Sequence, residues 1–541
     1  MKSKFKMLAV SMAMVMALTA CTGGNAPKEE KTSSKASGGS AVVTSSAQGS
    51  TQGSEDSGVA KEGFPVVKET VSMTALGYGE PGCGEWEDYP IFKEIEKNCN
   101  IDVAWSTISG DGADEKLGLI LSSNELPDMV FSGLGTTKIV DYASKGVIRQ
   151  MEDLIEAGYA PNLKKILDAK PEIRKAITMP DGHIYVLPAI NENDDPVPTT
   201  TLNINKAWCD KLGVKPEDIK TVADFENLMK RFVEEDPNGN GEKDEKGFTF
   251  EPTPPYHVWN GDADFSGAWG ITTDWDPIMV KDDKIVCAVT QDGYKDYVKW
   301  FADMYAKGFI DKEVFTHDHN QYMAKIDSGN VGAYLTNGPV TSAKVEYVTI
   351  PPLEGPAGRL WGCEDFSIDK GRGLITTACK NPEAAMRFID SFYEPVTSLK
   401  LQHGIYLKDT GDGKFEILPN ESGKISEAPG PYVAKDKSKE VVEKYLTKTE
   451  DQLKAEERQK MYTPYLMKPL PLMNYSPEEA NELSTLSTDI SKVVNEQKAK
   501  WCTGQGNVDE EWDAYVDSLN KIGLERYMEI HNAAYTRFTN S

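Results

Sequence analysis

Ten residues from 236 to 245, Asp-Pro-Asn-Gly-Asn-Gly-Glu-Lys-Asp-Glu, place hard oxygen donors at the spacing of a calcium loop. Asp236, Asn238 and Asn240 alternate, and Gly241 follows where an EF-hand loop turns sharply. The twelfth position of such a loop carries a bidentate Glu, and here it is Gly247. Two carboxylates come early instead, at Asp244 and Glu245. With Asp236, Asn238, Asn240 and the backbone carbonyl of Glu242, they offer the six or seven oxygens calcium prefers. An acidic Asn-Gly surface turn is the competing reading, and five side-chain donors in ten residues weigh against it.

A second chemistry comes from aromatic residues in irregular, Gly-rich stretches. Sugars present C–H faces to aromatic rings and hydroxyls to carboxylates and amides, so such stretches suit a carbohydrate ligand. Residues 256–275 carry Trp259, Trp269 and Trp275 without helical or strand periodicity. Residues 358–367 add Trp361, Glu364 and Asp365; an early loop adds Tyr78, Glu80, Trp86 and Asp88; and 185–192 adds Tyr185 and Glu192. Each Trp has the alternative of simply filling a core. Trp208, Trp300 and Trp512 lie in helical patterns and are expected to do so.

Signatures of covalent chemistry are weak. Gly77, Gly79 and Gly82 spell G-x-G-x-x-G after an expected strand, with Asp102 near the distance of a ribose-binding acid. Pro81 and a polar insert then delay the helix that a pyrophosphate would need. His317 and His319 flank Asp318 without a signposted third metal ligand, so a solvated loop is expected there. Glu192, Asp194 and Asp195 could serve a glycosidase, but 85 acidic residues make such neighbours uninformative. No G-x-S-x-G elbow or Walker loop occurs. No catalytic residue is assigned, and a surface-anchored carbohydrate-active enzyme stays as the rival reading.

The elements that would position these groups are legible. Thr221 is a candidate N-cap for a helix to Glu235, with Phe225, Leu228, Met229, Phe232 and Val233 on one face. Its carbonyl end delivers the calcium loop. Three prolines in 246–257 forbid a second EF-hand helix, so the loop is a structural clip and not a sensor. Upstream, strands at 70–76, 101–107 and 127–132 alternate with helices at 90–100, 113–126 and 137–151, the pattern of parallel βαβ units. Helices follow at 294–308, 381–394 and through most of 476–530.

At 541 residues the chain exceeds one compact core. Its composition, 39% apolar and 27% charged, is that of a soluble globular protein. The net charge of −26 argues against nucleic acid as a partner. Lys2, Lys4 and Lys6 precede an apolar run that ends in Leu18-Thr-Ala-Cys21, a secretory signal. Residues 22–66, rich in Gly, Ser, Thr, Lys and Glu, cannot bury enough apolar surface to fold and read as a flexible tether. Beyond Cys21 there are seven cysteines and no Cys-x-x-Cys pair; Cys83 with Cys99 is the one bridge considered.

Leu18–Cys21 resembles the bacterial lipobox, which implies cleavage before Cys21 and a palmitate-type lipid on that residue. Together with "NELPDMVFSG", "MPDGHIYVLPAI", "SGNVGAYLTNGP" and "KNPEAAMRFIDSFYEPVTSLKLQHG", in that order, the chain resembles Gram-positive lipoproteins of the extracellular solute-binding family 1. The loop at 236–245 is similar to the calcium loop of alginate-binding receptors in that family. The resemblance implies an α/β, two-lobed periplasmic-binding-protein-like fold of type II, closing by a hinge on a ligand cleft. It implies the receptor of an ABC importer, a monomer anchored by lipid on the outer face of the cell membrane, passing a carbohydrate to permease subunits. The expected division is 1–20 signal peptide, 21–68 anchor and tether, 69–198 with 355–412 as lobe one, and 199–354 with 413–541 as lobe two. A receptor for a peptide or another non-sugar solute is the milder alternative.

Overall fold

The computed structural model describes residues 58–79, 84–109, 112–123, 125–131, 134–190, 198–251, 261–272, 277–363, 368–418 and 443–540. In chain order its strands are β1 Val71–Gly79, β2 Ile101–Ser109, β3 Met129–Phe131, β4 Leu187–Ile190, β5 Thr201–Asn205, β6 Lys246–Thr249, β7 Ile278–Lys281, β8 Lys284–Cys287, β9 Val331–Thr336, β10 Tyr347–Ile350 and β11 Ile368–Ile375. A small late sheet adds β12 Leu407–Asp409, β13 Phe415–Ile417 and β14 Leu446–Thr447. The architecture is mixed α/β, as expected.

Two larger sheets organise it. The first has the order β2-β1-β3-β11-β4, with β1 parallel to β2 and β3, and β11 antiparallel to both its neighbours. The second has the order β10-β5-β9-β6, in which only β6 and β9 run parallel. Each sheet has its own apolar cluster. Trp86, Phe92, Phe131, Leu187 and Phe388 belong to the first; Phe225, Phe248, Phe301, Trp361 and Tyr527 belong to the second. The chain passes between the sheets from β4 to β5 and again from β10 to β11.

Two details differ from the expected division. Trp361, assigned above to lobe one, packs in the second cluster. The boundary at 412 cuts the β12–β13 hairpin, where Asp409 pairs with Phe415.

Helices follow the apolar periodicity, with ends set by local chemistry. Pro90–Cys99 stops at Asn100 in the left-handed region (φ 58°). The next helix ends at Leu121 and not Leu126, because the Ser123 hydroxyl accepts the Glu125 N–H and closes a turn. Thr136–Ser144 ends before Gly146 (φ 70°), which frees Ile148 to bridge to Thr376. The C-terminal region is three helices, Pro477–Cys502, Val508–Lys521 and Leu524–Asn540, separated at Gly504 and Gly523, both with positive φ.

One crossing point is tied by polar groups. Lys370 on β11 donates to the carbonyls of Leu472 and Met473 and to Asn474 Oδ1, at 3.2, 3.3 and 2.7 Å. The Asn474 amide in turn donates to the carbonyls of Ala176 and Thr178 at the end of the helix Pro171–Ile177. Leu472 packs on the first cluster and Met473 in the second. Residues 472–474 are thus a joint between the two cores.

Candidate functional site

The helix ahead of the acidic loop forms as its sequence requires. Thr221 Oγ1 accepts the Asp224 N–H and the Asp224 carboxylate accepts the Thr221 N–H, a reciprocal cap. Phe225, Leu228, Met229 and Phe232 are buried on one face. The helix ends at Glu234, and Asp236 turns the chain with φ 49°.

Asp236 then gathers the loop around its carboxylate. Oδ1 accepts from the backbone of Gly239 and Asn240 at 2.8 and 3.1 Å, and Oδ2 accepts from Gly241 at 3.0 Å. Asn238 and Asn240 both donate from Nδ2 to Asp244 Oδ1, at 2.9 and 3.0 Å. Those two amides hold the Asp244 carboxyl below its usual range. Glu245 moves the other way: burial raises it, with Asp244 and Asp236 adding repulsion. Its Oε1 is buried with no hydrogen-bond partner.

These residues fit a hard cation. An orphaned carboxylate oxygen beside two acidic groups is a cost that a divalent ion would remove. Among the described residues no three His, Cys, Asp or Glu side chains are grouped to hold a metal, so Asn amides and backbone carbonyl oxygen would have to complete the shell. Glu242 supplies its N–H to Asn240 Oδ1 at 2.7 Å, which draws the loop tight at the position whose carbonyl is the expected ligand.

The missing twelfth ligand has a packing cause. A Cβ on Gly247 would lie 2.3 Å from the Phe309 carbonyl oxygen, because β6 starts there and Phe248 N–H bonds that carbonyl. Asn330 was not singled out from the sequence. It sits just before β9, and its Nδ2 donates to Asp244 Oδ2 and to the Asp244 carbonyl, at 3.1 and 3.0 Å. Only the parallel pairing of β6 with β9 brings it there.

The aromatic candidates separate into core and periphery. Trp86 is fully buried, stacked on Phe92 and Phe131 with centroids 5.2 and 5.8 Å apart. Trp269 packs against Tyr297 and Trp300, and Trp361 meets Tyr462 edge-on at 5.2 Å. Tyr185 is buried and donates its hydroxyl to Asp181 at 2.8 Å. Protein covers the ring faces of Trp86, Trp269, Trp361 and Tyr185, so in this conformation they build the cores and do not stack on a ligand. Tyr78 is half-buried at the end of β1, and Asp88 is exposed. Glu80, Glu192, Trp259, Trp275, Glu364 and Asp365 lie outside the described residues, as does Cys21.

What the structure does bring together are the roots of three of the four candidate ligand segments. Asp264 Oδ2 accepts from Thr200 N–H at 2.8 Å and from the hydroxyls of Thr199 and Thr200 at 2.5 and 3.1 Å. Its backbone carbonyl accepts the Gly362 N–H at 2.9 Å. Trp361 Nε1 closes the knot by donating to the Thr200 carbonyl at 3.0 Å. One residue of the Trp-rich 256–275 stretch therefore fastens both crossings, 198–200 and 361–363. Nearby, Asp262 pairs with Lys498 at 2.6 Å and accepts the Tyr297 hydroxyl, which pins the same stretch to the helix Pro477–Cys502. Nothing in the sequence distinguishes Asp264 from the other acidic residues; the contact spans 64 positions.

The decoys resolve on packing. A Cβ on Gly77 would lie 2.3 Å from the Trp86 ring, so this glycine makes room for an indole and not for a pyrophosphate. His317 is not in a solvated loop: its side chain is buried, with Nε2 donating to the Phe250 carbonyl at 3.0 Å and Nδ1 accepting from Lys325. Burial and the Lys325 charge lower its proton affinity. Asp318 is the N-cap of the helix His319–Ser328. Cys99 is a free buried thiol, pushed up to about 12 by burial; Cys83, the bridge partner considered for it, lies outside the described residues.

Residues 91–403 match the family model described as bacterial extracellular solute-binding protein. The fructooligosaccharide ABC transporter substrate-binding protein FusA of Streptococcus pneumoniae is 33% identical over 480 residues, which is 83% of this chain and 87% of FusA. The FusA structure in complex with kestose superposes with a TM-score of 0.74 at 28% identity, covering 87% of this chain and 99% of the other. An HMO-binding, ABC-transporter-associated solute-binding protein from Bifidobacterium longum infantis shares the fold, with a TM-score of 0.73 at 21% identity over 86% and 98% of the two chains. So does the alginate-binding protein AlgQ2 solved without calcium, with a TM-score of 0.64 at 20% identity over 87% and 99%.

Proposed function

Because this chain belongs to the bacterial extracellular solute-binding protein family, we propose that it captures a short oligosaccharide, of the fructooligosaccharide class, and delivers it to the permease of an ABC importer. It is a binding protein and not an enzyme. The observation that carries the ligand class is its 33% identity to FusA over 83% of this chain. Two sheets with separate cores, joined at narrow crossings, suit two lobes that close on a ligand. Affinity comes from stacking, hydrogen bonds and expelled water, with no bond made or broken. The Trp-rich stretch keeps Trp259 and Trp275 as stacking candidates, and Glu192, Glu364 and Asp365 as hydroxyl acceptors.

The finer reading is an extracellular lipoprotein. Cys21 carries the lipid, residues 22–66 tether the folded body to the membrane, and the receptor works as a monomer. Calcium occupies the loop of Asp236, Asn238, Asn240, Glu242, Asp244 and Glu245. The orphaned Glu245 oxygen supports this, as does the existence of a FusA structure of an EF-hand mutant. The ion is structural: it would neutralise the carboxylates and fix the turn into β6. A thermal-shift screen against kestose, nystose, galacturonate oligomers and peptides tests the ligand class, because a ligand that binds only the native state raises Tm. A rise with fructooligosaccharides alone is expected; a rise with peptides alone would refute it.

A further inference from the structure

Arg458 is conspicuous for what it lacks. Among the described residues its guanidinium has no hydrogen-bond or ion-pair partner, and its Nε is buried without one. Arg359 and Arg372 also bury an unpartnered Nε, but each is held through Nη2, by the Lys220 carbonyl and by Asp369. Arg387 donates to the carbonyls of Ala60 and Gly63 and to Asp390; Arg231 forks onto Glu235. On its own helix, Glu450–Tyr462, Glu450 pairs with Lys454 and Glu456 with Lys448, while Asp451 and Glu457 make no ion pair with Arg458, although the Asp451 charge favours its charged form. Desolvation disfavours its charge. A guanidinium carries five donors in a planar fork, and leaving them unmet in a half-buried place is costly.

Its position explains the vacancy in chemical terms. The guanidinium lies flat on Gly338: a Cβ there would stand 3.0 Å from Nη2 and 3.2 Å from Cζ. A side chain in place of Gly338 in the Asn337-Gly338-Pro339 turn would push the guanidinium aside by a few tenths of an ångström. That turn leaves β9 at Thr336, which pairs with Thr201, the first residue of the second sheet after the β4–β5 crossing. One helical turn from Arg458, Tyr462 donates its hydroxyl to the Ile350 carbonyl and accepts the Leu202 N–H, at 2.7 and 2.9 Å. Both anchors flank the crossings fastened by Asp264. Arg458 therefore stands on the crossing side of the second sheet, where the lobes would meet around a ligand.

We propose that Arg458 is a specificity-determining ligand contact, its guanidinium donating to a pair of oxygen acceptors on the bound saccharide. This rests on the receptor reading above. The planar fork suits two neighbouring oxygens on a sugar, which a lysine would meet at one point only. Among the described residues none holds the guanidinium by a hydrogen bond or ion pair, so its two terminal nitrogens are available when the saccharide arrives.

The test compares wild type with two variants, Arg458→Met and Arg458→Lys, titrated with kestose and nystose by calorimetry, with apo Tm measured in parallel. Arg458→Met should weaken binding by at least about tenfold, and Arg458→Lys should recover only part of it. The apo Tm of Arg458→Met should hold or rise, because an unmatched buried donor set is removed. Affinity unchanged in Arg458→Met overturns the proposal. So does an apo Tm lowered by more than about 2 °C, which would mark a structural role. If wild type binds neither sugar, the fructooligosaccharide reading fails separately. The variants then go through the galacturonate and peptide screen: loss of the wild-type response in Arg458→Met supports the contact, and a preserved response, or no response in wild type to any probe, refutes it.

Discussion

Asn330 donates its side-chain amide to Asp244 across 86 positions of sequence, joining the acidic loop to the start of β9. The same amide group, through Oδ1, accepts from Asn238 at 3.0 Å. A loop that could have been a free surface turn is thereby fixed to the second sheet. Asn330→Ala should lower calcium affinity by roughly tenfold, as loss of an orienting partner does at metal sites. Calorimetric titration of calcium into the chelator-treated protein measures it. Equal affinity in wild type and variant would mean that Asn330 only packs.

Calcium removal should lower Tm, and the effect should fade in acid. Asp244 is held low and must lose its proton to bind the ion; Glu245 is raised and protonates first as pH falls. A raised carboxyl binds more protons folded than unfolded, so Glu245 on its own lowers stability above its folded value, and calcium reverses that penalty. The calcium-induced gain in Tm should be full at pH 7 and decline as pH drops through the Glu245 range. A gain independent of pH would contradict a site that includes Glu245.

Lys370 sets a second pH dependence. Burial brings it down to about 7, with three neutral oxygens and, among the described residues, no carboxylate paired with Nζ. A lysine whose folded value lies below its unfolded one binds fewer protons when folded, so stability rises with pH between about 7 and about 10. The slope approaches about 1.4 kcal/mol per pH unit in that window. Lys370→Met should flatten it, as measured by urea unfolding from pH 7 to 9. An unchanged slope would show that the joint at 472–474 tolerates the charge.

Trp86 should behave as a core residue. Trp86→Ala should cost about 3–5 kcal/mol in urea unfolding, while Trp86→Phe should leave saccharide affinity unchanged. Affinity lost in Trp86→Phe, with the fold intact, would restore the indole to the ligand site.

Much of the fold was legible because burial is periodic. The strands at Val71, Ile101 and Met129 and the helices between them carry their pattern on one line of sequence. The acidic loop was legible because its residues are contiguous, and Asp236, Asn238, Asn240 and Asp244 do meet. The ligand side was not. An indole in an irregular stretch looks alike whether it faces a sugar or a core, and Trp86, Trp269 and Trp361 turned inward. Asp264, Asn330 and Arg458 act through contacts made by chain crossings and strand pairing, and no local spacing marks them. Gly247 and Gly77 looked like a failed ligand and a phosphate turn; each is set by an atom of a distant residue, Phe309 and Trp86.

This chain should bind a fructooligosaccharide without altering it. Calorimetric titration of the calcium-loaded protein with kestose, followed by chromatography of the recovered sugar, tests it directly. Saturable one-site binding and intact kestose are expected. No heat with kestose or nystose, or fructose released from either, would contradict it.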